Sequence, residues 1–267
     1  NHNSFASLAM QEHDFPNPAT PVGSSAYYCI RFSPKKYRNQ LASIFLYKQT
    51  LRDLYSLTDP GVARIKLQWW HEQVNEKKGR SEHPLARQLA DIYKKSAIAQ
   101  QAFDQINIST DQLLHRQPLI TIKDYQLLCS NLGGSFADLI QLVSEQPSNE
   151  QTKLAGNWVE HVENMQLFGK LLRENIHLIP IDILKSFGLS NDQLLSSEKS
   201  ADILKTLHDS MKEDFQRNFS DRISKKSCLG KLTRLRSNLM NLIAQEEMAV
   251  INQQISLTPI RKLWLAL

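Results

Sequence analysis

Apolar residues in this chain recur every three or four positions, the period of one helix face, and no strong strand-type alternation interrupts them. Leu41, Ile44, Phe45 and Leu51 set the first such face, and Val62, Ile65, Trp69 and Trp70 the second. Leu85, Leu89, Ile92 and Tyr93 follow. A longer stripe runs from Tyr125 through Leu128, Leu132, Phe136 and Leu139 to Val143, and another from Leu154 through Trp158, His161 and Met165 to Leu172. The last two run from Leu204 to Phe215 and from Leu232 to Val250. The punctuation agrees. Ser33-Pro34 and Asp59-Pro60 each place a capping side chain before a proline at the first helical position, Pro84 follows His83, Gly79 closes the second segment, and a later stripe stops before Pro180. Gly133-Gly134 falls inside the Tyr125 to Val143 stripe. Two glycines cost a helix about 2 kcal/mol, so the pair predicts a kink or a close neighbour.

With 9 Gly and 10 Pro in 267 residues, the chain lacks the breakers of a sandwich or barrel. No composition break divides it, and a chain this long buries roughly 70–75% of its unfolded surface without a staple. The prediction is one all-α domain of about eight to ten helices. It would span 24–267, after a flexible tail over 1–23 that shows no periodicity. Cys29, Cys129 and Cys228 are odd in number, far apart and without C-x-x-C spacing, so they read as reduced core thiols of an intracellular protein. No apolar run approaches the ~18 residues of a membrane span. A cytoplasmic or peripheral-membrane location follows, or an organellar one if a targeting segment has been removed.

The net charge of +5 suits an anionic lipid or an acidic partner. It excludes little else, but nucleic-acid binding would call for a concentrated stripe on a recognisable fold. Basic residues gather at Arg222, Lys225, Lys226, Lys231, Arg234 and Arg236, either as a solvated helix face or as a docking patch for anionic lipid or an acidic partner. Phosphate-loop, dinucleotide and nucleophile-elbow motifs are absent, and His71-Glu72 lacks the second His of H-E-x-x-H because position 75 is Asn.

A set of short motifs carries more information. Ala26-Tyr27-Tyr28, Pro34, Arg38, Asp59-Pro60-Gly61-Val62-Ala63 and Lys66-Leu67-Gln68-Trp69-Trp70 resemble the opening of squalene/phytoene synthases. Leu172-Arg173, Pro180 and Phe187-Gly188-Leu189-Ser190 resemble that family's second signature and the segment after it, so the similarity spans roughly 24 to 260. The resemblance implies an all-α bundle of the isoprenoid synthase type with a central cavity. Active members join two prenyl diphosphates there, and two aspartate-rich motifs hold the magnesium that stabilises the departing diphosphate.

Both motifs look decayed. Aligned back from Asp59-Pro60, the first falls on Lys48 to Tyr55, with Leu51, Arg52 and Tyr55 where acids are expected and Asp53 the remaining carboxylate. In the second, Lys170 falls at an Asn, Glu174 stands for an Asp after Arg173, and an acidic loop is missing. Two carboxylates cannot hold several magnesium ions, and nearby cations repel them. The resemblance therefore implies no metal and no cofactor, with magnesium only if catalysis survives. Lys48, Arg52, Asp53, Lys170, Arg173, Glu174 and Tyr28 become candidates for a cavity or diphosphate site. The cations would serve as counter-charge for a prenyl diphosphate or a lipid headgroup, unless they simply pair with Asp53 and Glu174. The family also holds a degenerate branch, typified by a mitochondrial complex I assembly factor, which this chain resembles in keeping fold signatures while losing aspartates. Three functions stay open: a non-catalytic lipid-binding or assembly-factor-like pseudoenzyme, an active prenyltransferase, and a membrane or protein-docking adaptor without ligand. Trp69 and Trp70 are core residues or cavity wall.

Overall fold

The computed structural model describes residues 14–75, 81–220 and 223–267. The first thirteen residues of the expected tail, Gly79 and Arg222 lie outside these described residues. Within them all regular structure is helical. In chain order come α1 (Ser25–Arg31), α2 (Arg38–Asp53), α3 (Pro60–Asn75), α4 (Pro84–Tyr93) and α5 (Ala97–Leu114). The Tyr125 to Val143 stripe becomes α6 (Ile122–Cys129) and α7 (Ser135–Val143), joined by a π turn over Ser130–Gly134. Then follow α8 (Glu150–Gln166), α9 (Phe168–Arg173), α10 (Ile181–Ser186), α11 (Ser200–Asn218), α12 (Cys228–Gln245) and α13 (Pro259–Ala266). The number exceeds the expected one partly because two continuous apolar stripes are each broken once, at the π turn and at Leu167.

Local chemistry explains most boundaries. Asp59 Oδ1 accepts the Gly61 N–H at 2.7 Å while Pro60 leads α3, as the dipeptide predicts. Ser33-Pro34 behaves differently. Ser33 Oγ donates to Cys29 O at 2.9 Å, finishing α1, and a 3₁₀ turn over Lys35–Tyr37 precedes α2. Helix α5 has no counterpart in the sequence reading, although Ser96 caps it through the Ala99 N–H at 3.1 Å. Its apolar face of Ala102, Phe103, Ile106 and Leu113 is buried, but so are Ser109 and Thr110, which blur the stripe.

The paired glycines account for the centre of the bundle. A Cβ on Gly133 would lie 2.2 Å from the carbonyl oxygen of Gly156, and one on Gly156 would lie 2.2 Å from that of Gly133. The π turn and α8 thus meet backbone to backbone, so the pair marks both a kink and a close neighbour. Helix α8 is buried on most sides and packs against α6, α7, α11 and α12.

Two expectations need correction. The tail does not extend to residue 23: Asn17 and Thr20 are buried, Asn17 Nδ2 donates to Ala42 O at 2.9 Å, and Phe15 stacks on Tyr27. Nor does the basic run form one solvated face. Lys231 is buried with Nζ donating to Phe32 O at 3.1 Å, and Arg236 turns into the core toward α8. The three cysteines are buried and unpaired, and burial pushes their thiols up. No described helix is long and apolar enough to cross a membrane.

Candidate functional site

Helices α2 and α8 face each other through a layer of buried charge. Lys48 and Arg52 are four residues apart on α2, hence on one face, and both reach α8. Lys48 Nζ lies 2.8 Å from Glu160 Oε2 and 2.6 Å from Glu163 Oε2. Arg52 spans the same two carboxylates, Nη2 to Glu160 Oε1 at 2.8 Å and Nη1 to Glu163 Oε2 at 2.9 Å. Arg236 of α12 closes the layer with Nη2 at 3.0 Å from Glu163 Oε1. Burial works against ionising both glutamates, but Lys48 and Arg52 outweigh it, and both carboxyls sit below their ordinary value. Burial likewise opposes the Arg52 charge, and Glu160 and Glu163 reverse that. The five side chains hold one another through these ion pairs.

Beneath Lys48 and Glu163, a central space is bordered by Ile44, Phe45, Phe136 and Val159. A water centre can explore only about 20 Å³ of it, room for roughly one water.

The remaining candidates sit elsewhere. Asp53 is exposed at the end of α2, where partial burial and Glu174 raise its carboxyl and Lys170 counteracts them. Ser56 Oγ donates to Glu174 Oε1 at 2.5 Å, and Lys170 Nζ lies 3.7 Å from the same oxygen. The segments aligned with the two motifs therefore do adjoin, at the rim. Arg173 turns away, donating through Nη2 to Ile251 O at 2.7 Å, and with Lys170 it borders a separate groove near Gln253. Lys48, Arg52, Lys170 and Arg173 do not share one cavity. Tyr28 packs its ring on Tyr27 and Phe32. Trp70 is core against Tyr47, while Trp69 is part-exposed beside an outer groove, so neither borders the central space.

The sequence reading missed Glu160 and Glu163, and placed Arg236 in a basic run and not in this layer. A signal existed in two acids set among Trp158, Val159, Val162 and Met165: if that apolar stripe is buried, acids beside it require buried cations. The other side of α8 carries a second buried polar set. Tyr125 Oη lies 3.0 Å from His161 Nδ1, and His161 Nε2 lies 3.1 Å from His208 Nδ1. Burial lowers both imidazoles, His208 to about 4 and His161 well below its ordinary value.

The donor set does not fit a magnesium cluster. Every oxygen of Glu160 and Glu163 has a cation within 3.0 Å, and among the described residues no three His, Cys, Asp or Glu side chains gather to hold a metal.

This architecture is that of an all-α isoprenoid synthase. A solved dehydrosqualene synthase in complex with ligand superimposes with a TM-score of 0.71 over 91% of this chain and 89% of its own, at 14% identity. The family model for squalene/phytoene synthase matches residues 19–217, and the chain belongs to that family. No curated protein matches it in sequence.

Proposed function

We propose that this chain is a squalene/phytoene synthase-like protein that does not perform a metal-dependent condensation and serves as a binding or assembly module. The observation that carries this reading is the layer between α2 and α8. Positions that face each other across the bundle hold three cations against two carboxylates, each already engaged. A departing diphosphate would find no metal donors there. The narrow space beneath the layer supports the same reading, since room for about one water does not suit a prenyl chain. Likeness to the assembly-factor branch makes a protein partner the finer form of the proposal. Full-length similarity to a dehydrosqualene synthase keeps prenyltransfer as the second reading. Incubation of the purified chain with farnesyl or geranylgeranyl diphosphate and Mg²⁺ decides between them. No C30 or C40 hydrocarbon is expected, and a head-to-head product would overturn the proposal.

A further inference from the structure

A different face of α12 borders an open groove against the end of α11, in which a water centre can explore about 320 Å³. Its wall is aromatic. Phe215 and Phe219 stack at 4.5 Å, and Phe215 stacks in turn on Trp158 at 4.8 Å. Its floor is the turn of α12 from Thr233 to Ser237. Two polar groups there are already engaged: Trp158 Nε1 donates to Ser237 Oγ at 3.0 Å, and Thr233 Oγ1 donates to Leu229 O at 2.8 Å. Arg234 is not. Its Nε is shut off from solvent without an acceptor, and among the described residues its guanidinium has no carboxylate in ion-pair reach. No Asp or Glu is among the described residues lining the groove.

Arg234 lines the groove part-buried and without a carboxylate, so an incoming oxyanion would supply the counter-charge it lacks. The planar fork of arginine matches carboxylate and phosphate oxygens in pairs. A stacked aromatic wall offers apolar area but no charge. We infer that this groove binds a single-chain anionic amphiphile, its acidic head on Arg234 and its chain along Phe215 and Phe219. The site lies apart from the charged layer of α2 and α8, and it stands or falls independently of whether that layer supports catalysis.

Titration calorimetry of the full chain with octyl phosphate, octanol and inorganic phosphate, all below micelle-forming concentrations, tests the assignment. Octyl phosphate should bind saturably at one site, with octanol and inorganic phosphate each at least about tenfold weaker. Arg234→Gln should weaken octyl phosphate by about tenfold or more, and Arg234→Lys by less, because charge survives without the fork. Arg173→Gln, in the other basic groove, should leave binding unchanged. Far-UV circular dichroism and the melting temperature check that Arg234→Gln remains folded, and Phe219→Ala, expected to weaken binding several-fold, is a second variant. No saturable heat with octyl phosphate would overturn the assignment. So would inorganic phosphate or octanol binding as tightly, or affinity that Arg234→Gln leaves intact.

Discussion

Helix α8 buries polar side chains on two faces and keeps them in opposite states. On one face, Glu160 and Glu163 are ionised at neutral pH; on the other, His161 is uncharged beside Tyr125 and His208. Both faces are dry, and desolvation pushes each group toward its neutral form. What differs is the charge within reach. The glutamates meet Lys48, Arg52 and Arg236 within 3.0 Å, enough to reverse the desolvation penalty. His161 meets another imidazole, and the charges that His208 feels, Asp209 and Lys212, oppose one another. Opposite charge, more than depth, sets the protonation of this core. The comparison also explains how two carboxylates stay ionised inside this bundle: fixed cations supply their counter-charge.

The severest way to break the contrast is to return acids to α2. In a Lys48→Asp/Arg52→Asp variant, four carboxylates would face one another with Arg236 the remaining cation of the layer. We expect a loss of more than about 4 kcal/mol in EDTA, since breaking even one buried pair costs about that much. Millimolar Mg²⁺ should restore part of the loss, because a ligand that binds only the folded state stabilises it, by about 2.7 kcal/mol at a hundredfold excess over its Kd. The unaltered chain should show no Mg²⁺-dependent shift in melting temperature beyond an ionic-strength control. A variant that Mg²⁺ fails to rescue would show that counter-charge alone does not hold this layer together.

Removing one anion is the next largest effect. Glu163→Ala leaves Lys48, Arg52 and Arg236 around Glu160 alone, and should destabilise the fold by about 3–5 kcal/mol in urea titrations. A loss below about 1 kcal/mol would mean that water or a rearranged Gln166 takes over the cations.

Much of this could be read before the structure, and the shortfall has physical causes. The period was sufficient for α2, α3 and α8, and Asp59-Pro60 also marked where α3 begins. The period was insufficient for α5, whose buried Ser109 and Thr110 interrupt its stripe. For the site, an ungapped reading from Asp59-Pro60 put Leu51, Arg52 and Tyr55 at the acidic positions. Only Arg52 faces α8's carboxylates; its partner there is Lys48, one turn earlier, while Leu51 and Tyr55 pack in the core. Glu160 and Glu163 escaped because no motif names them, and their meaning depends on cations more than a hundred residues earlier in sequence. Long-range charge pairing leaves no periodic trace.

The neutral face of α8 makes its own prediction, of medium size. His208 has a folded-state value of about 4, against about 6.5 unfolded, so the unfolded chain binds more protons as the pH falls. The stability that neutral His208 contributes is intact above pH 6.5 and is lost progressively down to about pH 4. Going from pH 7 to pH 5 should cost about 2 kcal/mol from this group, with His161 adding in the same direction. Denaturant melts across that range, compared with His208→Gln, isolate the contribution. A variant with the same slope as the parent would show that the pair is not neutral in the folded state.

The smallest effect belongs to the rim, where the sequence placed most of its candidates. Glu174 holds a hydroxyl hydrogen bond from Ser56 and one loose pair, 3.7 Å to a Lys170 whose side chain is 58% exposed. Water competes for both partners, and an exposed pair of this spacing contributes between nothing and about 1 kcal/mol. Glu174→Gln should therefore shift stability by no more than about 1 kcal/mol, several times less than Glu163→Ala on α8. The substitution also removes a neighbour that raises the Asp53 carboxyl, so Asp53 should titrate lower in the variant, a change that carboxylate NMR can follow. A large destabilisation by Glu174→Gln would move the structural weight from the buried layer to the rim, and with it the place where this fold spends its carboxylates.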